Sequence, residues 1–303
     1  MEKYKEIESI VDSSCVKYKE EMKKHTTMKV GGMASVLVEV TSIQDIINVI
    51  KFAKRNNINY YLLGKGSNMV VADEGIDGIV IMISSKFSSI KVEGNQITAS
   101  AGASMPLVAI EAKKNSLTGF EFACGIPGTI GGGIKMNAGA YGGEIADVVS
   151  EITYLDEECN ICKINKKEAK FGYRDSIFKR NDNLVVIEAK FELKEGDISE
   201  ISKRMEENNL SRKTKQPIDM PNSGSVFKRP EGHYVGPMII DCGLQGFSVG
   251  GAQVSKKHAG FIVNTGNATC KDIKELINLI QEKVEEKFSV KLETEIQFIG
   301  GNN

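Results

Sequence analysis

Apolar residues recur every three to four positions in two stretches of the chain and alternate with polar ones in several others, so helices and strands are both expected. Between 41 and 57, Ile43, Ile46, Ile47, Ile50 and Ala53 share one helical face, and Ser42 with Asp45 has the spacing of a capping box. The same pattern returns between 269 and 288, where Ile273, Leu276, Ile277, Ile280 and Val284 form the stripe and Thr269 with Asp272 the cap. Strand patterns begin at Val36, Asn59, Gly78, Gln96 and Leu184. In EITYLDEECNICKI two strand-like runs flank a polar turn over 156–160, which predicts a hairpin. A charged, helix-like segment over 197–215 separates a strand-rich first part from a glycine-interrupted last part, and a boundary is expected near Glu195. The fold class expected is α+β, with a helical segment over 1–22, a domain over 23–195 and another over 196–303.

Composition narrows the function class. The 303 residues are 26% charged and 41% apolar with a net charge of -1, which argues against disorder and against a nucleic-acid-coating surface. The first residues lack the apolar core of a secretory signal, and no apolar run approaches a membrane span. Six cysteines without regular spacing fit reduced thiols and a cytoplasmic protein. Cys159 and Cys162 form a C-x-x-C, but His25, His233 and His258 are the only histidines and none adjoins a second cysteine pair, so no metal is expected.

The candidate chemistry lies in two glycine-rich turns. Residues 124–144, CGIPGTIGGGIKMNAGAYGGE, hold eight glycines. A glycine cluster costs folding entropy, and a ligand approached closely by the backbone offsets that cost. Upstream, LLGKGSN leads from a strand through Gly64, Lys65, Gly66, Ser67 and Asn68 into another apolar run. Successive N–H groups in such a turn can cradle a diphosphate, although a tight hairpin without a ligand has the same sequence signature. This upstream turn is not a G-x-G-x-x-G dinucleotide fingerprint, since Val70 to Ala72 continue as a strand rather than opening a helix, and it is not a Walker loop.

Segments 25–32 (HTTMKVGG), 62–68, 125–132 (GIPGTIGG) and 136–144 (MNAGAYGGE) resemble the flavin-binding half of the UDP-N-acetylenolpyruvoylglucosamine reductase family. Segments 171–178 (FGYRDSIF), 221–230 (PNSGSVFKRP), 250–269 and 292–300 resemble its catalytic and substrate-binding half, in the family's order. The short, type II form is implied, as the longer type's loop with a substrate-clamping tyrosine has no counterpart. The resemblance implies a PCMH-type FAD-binding fold of two subdomains, split near 85, and a C-terminal α+β substrate-binding domain whose last strand, 291–299, carries Glu295. It implies FAD as cofactor, NADPH as hydride donor, a UDP-sugar enolpyruvyl ether as substrate and UDP-N-acetylmuramate, a peptidoglycan precursor, as product. A monomer is expected, with neither nucleic acid nor membrane as partner.

By the same resemblance the cofactor contacts are Gly64, Lys65, Gly66, Ser67, Asn68, Gly125, Ile126, Pro127, Gly128, Thr129, Gly132, Gly133, Asn137, Ala138 and Gly139. The catalytic residues implied are Arg174, Ser225 and Glu295. Reducing the enolpyruvyl double bond builds carbanion character beside a carboxylate, which requires a charge stabiliser and a proton donor. Arg174 has the donor fork for the first task, although an arginine in this position could equally pair with Asp175. Ser225 is the implied proton donor, with Lys215 or an ordered water to assist it. Periodicity over 292–298 puts Glu293 and Glu295 on one face and cannot choose between them; the resemblance selects Glu295. Tyr141, Tyr173, Arg212, Lys215 and Lys228 match or adjoin the family's sugar and diphosphate site. His258 is given a structural role. Lys135, His25 and the Gly236-Pro237 pair depart from the family pattern. An oxidase of the same flavin fold and a nucleotide-sugar module without catalysis are the competing readings. The C-terminal motifs oppose the first, and the joint presence of Arg174, Ser225 and Glu295 opposes the second.

Overall fold

A computed structural model describes residues 2–301. The chain divides into two compact units that are not sequential: one holds the chain up to Lys17, Val36–Lys65 and Gly78–Ser211, the other Tyr18–Ser35, Gly66–Asp77 and the chain from Arg212 on. This differs from the sequential division at Glu195, because two early segments take their partners from the end of the chain.

In the first unit, an antiparallel sheet runs in the order Ile161–Asn165, Val149–Leu155, Val185–Glu192, Gln96–Ser100, Ile90–Glu93. Phe191 from its central strand meets Phe120 edge to face, with ring centroids 4.9 Å apart and both side chains fully buried. The 156–160 hairpin forms as expected: the Asp156 carboxylate accepts from the Glu158 and Asn160 N–H groups at 3.0 and 2.7 Å, and Leu155 pairs with Ile161. All six cysteines are free thiols. Tyr60–Leu63 pairs in parallel with Ile76–Met82, in register from Tyr60↔Ile79 to Leu63↔Met82. The helix Ile43–Arg55 starts at the expected Ser42–Asp45 box. Its buried stripe is Ile46, Val49, Ile50, Phe52 and Ala53, rotated from the expected one, with Ile43 and Ile47 half-buried. The helical segment expected over 1–22 is short. After Ile7–Ile10 and a turn, the chain passes into the second unit along the strand Val16–Glu21, because VKYKEE alternates with a period of two.

The second unit is built on the antiparallel sheet Asn222–Ser225, Phe261–Asn264, Ala252–Val254, Ser248–Val249. The helix Cys270–Phe288 carries the expected Thr269–Asp272 box, and all five residues of its expected stripe are buried in this unit's core. Asp73 reinforces that helix start, its carboxylate accepting from the Cys270 and Lys271 N–H groups at 2.8 and 3.0 Å. Gln297–Ile299 then pairs in parallel with Met69–Val71. Among the described residues no helix is long and apolar enough to cross a membrane.

Candidate active site

In the first unit the long glycine segment is shaped by packing on one side and left bare on the other. A Cβ on Gly133 would meet Met105 Sδ at 2.9 Å, one on Gly131 the Ala101 Cβ at 3.0 Å, and one on Gly139 the Glu144 Cβ at 2.7 Å. On Gly132 it would find nothing nearer than Thr129 Oγ1 at 3.7 Å, and on Gly128 nothing nearer than Met105 Sδ at 3.6 Å. Glycine at these last two positions leaves a surface that another molecule can approach, and Gly125, Ile126, Gly128 and Gly132 keep exposed area. The N–H groups of Ile126, Gly128, Ile130, Gly131 and Gly133 all donate to backbone carbonyls. This segment therefore offers bare backbone to pack against a flat group more than it offers an anion nest. Thr129 starts the helix Ile130–Met136, its hydroxyl accepting from the Gly132 N–H at 3.4 Å.

The turn at 64–68 differs. Two of its carbonyls are engaged within the second unit, Gly66 O by the Thr27 N–H at 3.1 Å and Asn68 O by the Gln297 N–H at 3.0 Å. The backbone N–H groups from Lys65 to Asn68 take no partner among the described residues, which suits an anion. The Asn68 side chain is committed elsewhere, donating to the Glu295 carbonyl at 3.2 Å.

Arg174 sits at the tip of a two-residue hairpin closed by reciprocal Gly172–Asp175 hydrogen bonds of 3.0 and 3.2 Å. Its φ is +54°, a left-handed conformation costing a non-glycine residue about 1–2 kcal/mol. Nη2 donates to the Gly139 carbonyl at 2.7 Å, and the guanidinium stands 5.0 Å from the Tyr173 ring centroid. Asp175 pairs with Arg180. Tyr173 and Tyr141 are both exposed, the latter at φ +53°. Lys135 pairs with Asp182.

In the second unit Ser225 and Glu295 are brought together. The Glu295 N–H donates to the carbonyl of Val226, the residue after Ser225, at 2.8 Å. A register shift between Asn222 and Ser225 bulges this strand. Gly224 forms the bulge at φ +81°, its N–H held by Asn222 Oδ1 at 3.0 Å, and Ser225 emerges exposed. The regular strand expected over 291–299 is replaced by a Phe227–Thr294 bridge, a bend at Ile296 and the short strand Gln297–Ile299. The cause is a change of partner, from the 226–228 segment to Met69–Val71. Glu293 is exposed and paired with Lys228, whereas Glu295 is half-buried. Arg212 and Lys215 lie on the last turn of the helix Ile198–Lys215. Sequence reasoning missed Asn222, whose side chain also donates to the Pro217 and Met220 carbonyls at 3.0 and 2.8 Å. Its position two residues before a glycine was the available signal.

Residues 216–299 match a family model described as UDP-N-acetylenolpyruvoylglucosamine reductase, C-terminal domain, and residues 34–165 match an FAD binding domain. The chain is 50% identical over 281 residues to the UDP-N-acetylenolpyruvoylglucosamine reductase of Caldanaerobacter subterraneus subsp. tengcongensis, covering 93% of this chain and 92% of that one. It is 44% identical over 300 residues to the Clostridium perfringens (strain SM101) protein of the same name, covering 99% and 98%. The crystal structure of UDP-N-acetylenolpyruvylglucosamine reductase from Thermus caldophilus matches with a TM-score of 0.79 at 33% identity, covering 93% of this chain and 97% of that one.

Proposed function

Because the chain belongs to the UDP-N-acetylenolpyruvoylglucosamine reductase family, we propose that it reduces UDP-N-acetylglucosamine enolpyruvate to UDP-N-acetylmuramate with NADPH, through FAD, as a step toward peptidoglycan. FAD bound there would supply the hydride chemistry that links NADPH to the enolpyruvyl carbon–carbon double bond. The residues present suit it: the bare glycine surface at Gly128 and Gly132 admits a planar ring, and the N–H groups of 65–68 suit its diphosphate.

In this reading Arg174 stabilises the negative charge that grows on the substrate carboxylate as hydride arrives, using guanidinium donors fixed in a plane. Ser225 then delivers its hydroxyl proton to the carbon beside that carboxylate and recovers a proton from solvent. Glu295 polarises the carboxylate or enol. Tyr141, Tyr173, Arg212, Lys215 and Lys228 are assigned to the UDP-sugar, Lys228 exchanging Glu293 for a diphosphate oxygen. The observation that carries the reading is the Glu295–Val226 hydrogen bond, which makes neighbours of two catalytic candidates far apart in sequence.

An anaerobic visible spectrum tests it. Flavin bands that bleach with NADPH and return on adding the enolpyruvyl substrate support both halves of the reaction. A yellow protein reoxidised by oxygen alone points to an oxidase, and a protein that cannot take up FAD removes the basis for either enzyme.

A further inference from the structure

Asn137 was expected among the cofactor contacts, yet it is fully buried, and both ends of its amide are used inside the first unit. Nδ2 donates to the Gly172 carbonyl at the base of the Arg174 hairpin at 2.9 Å, and Oδ1 accepts from the Ala146 N–H at 2.9 Å. Its carbonyl faces Arg174 Nη1 at 3.5 Å, and the carbonyl two residues on, Gly139 O, takes Nη2. The residue is thus bonded to the base of the hairpin and also belongs to the short run of backbone on which the hairpin's guanidinium rests. Its own φ of +42° ends the helix Ile130–Met136 in the left-handed form, which an asparagine tolerates better than most residues. Ser176 ties the far side of the hairpin to the same helix, its hydroxyl donating to the Lys135 carbonyl at 2.7 Å.

We infer that Asn137 is a positioning residue for Arg174: its buried amide fixes the hairpin against the glycine segment, and so sets where the guanidinium points. Arg174 is held in an uncommon backbone conformation, and buried hydrogen bonds that over-determine the turn are what such a residue requires. The inference rests on Arg174 acting on substrate, as proposed above.

The test is a double-mutant cycle on the FAD-loaded enzyme, reading the two half-reactions separately by stopped flow. Asn137→Gly keeps the left-handed backbone accessible and deletes both amide bonds. The expected result is retained flavin, NADPH-driven bleaching within about twofold of the parent, and reoxidation by the enolpyruvyl substrate slowed at least about tenfold, the size expected when a reacting group is misplaced. In an Arg174→Ala background the same change should add nothing, because Asn137 acts through the side chain already removed. Loss of flavin in Asn137→Gly, slowing of both half-reactions alike, or a full additional loss in the Arg174→Ala background would each overturn the inference. Should Asn137→Gly not fold, Asn137→Asp carries the same cycle, since it keeps the acceptor for Ala146 and loses the donor to Gly172. A normal reoxidation rate in Arg174→Ala itself would instead overturn the catalytic reading of Arg174.

Discussion

A Cβ added to Gly64 would stand 2.6 Å from Thr129 Oγ1, so the glycine turn after Tyr60–Leu63 meets the cap of the helix Ile130–Met136 where no side chain fits. The glycine is required by a contact, in addition to any ligand. Gly64→Ala must push Thr129 aside, which by the usual cost of overpacking destabilises the protein by about 1–3 kcal/mol. Thr129→Ala alone removes a helix cap worth about 1 kcal/mol. With Oγ1 and Cγ2 both gone, the nearest remaining atom is the residue 129 Cβ at 3.7 Å. The double variant should therefore be little worse than Thr129→Ala, and denaturant melts of the four proteins check this. Additive losses would show that Gly64 is needed for another reason.

Asp73 holds the start of the helix Cys270–Phe288 from outside its own segment, alongside the local Thr269–Asp272 box. Asp73→Ala should cost about 1–2 kcal/mol, and Asp73→Asn less, because the amide oxygen still accepts one N–H. Chemical denaturation with two probes, one in each unit, would measure it. No change in midpoint would mean that the local box alone suffices.

These two contacts mark where sequence reading stopped. The box at Thr269 and the stripe from Ile273 to Val284 were legible because helical period and cap are local properties. The glycine segment was legible as a site, but not which glycines serve packing: Gly131, Gly133 and Gly139 face Ala101, Met105 and Glu144, partners that no spacing rule supplies. The same holds for the end of the chain, where the alternation of Leu292, Ile296 and Phe298 predicted one strand. The backbone instead changes partner near Glu295 to join Met69–Val71, and pairing choice at long range depends on tertiary context. Glu293 and Glu295 were indistinguishable by period; the fold leaves Glu293 exposed against Lys228 and Glu295 half-buried.

His258 is half-buried, edge-on to Phe261 at 4.8 Å between centroids, and its Nδ1 accepts from the Gly260 N–H at 3.2 Å. Burial, the larger cause, holds its pKa below the ordinary value of 6.5. The unfolded chain therefore takes up a proton at a higher pH than the folded one does. The neutral ring's contribution to stability is complete above about 6.5, and it is lost as pH falls from there through the folded pKa. His258→Asn keeps an acceptor for Gly260 without titrating, so its melting temperature should fall less than the parent's between about pH 7.5 and 5. Parallel pH profiles for the two proteins would assign the titration to other groups.

Ser225 lies exposed beyond the Gly224 bulge, and its neighbour Val226 takes the Glu295 N–H. Removing an exposed hydroxyl leaves the fold intact, so Ser225→Ala should melt within about 0.5 kcal/mol of the parent. Its proposed role is confined to the step after hydride transfer. NADPH-driven bleaching should thus be unchanged, while product formation slows by about 10²–10⁴, the usual worth of a positioned proton donor. Glu295→Gln should behave alike in the first half-reaction and lose less in the second, because the amide keeps an oxygen to face the substrate but cannot hold charge. Carrying the reaction out in deuterated solvent separates the two roles. If Ser225 is the donor, the slowed step in Ser225→Ala depends on solvent protons and shows a changed solvent isotope effect, whereas Glu295→Gln retains the parent's. An equal loss in both half-reactions for Ser225→Ala would remove the serine from the proton transfer and leave the bulge at Gly224 with a structural purpose only.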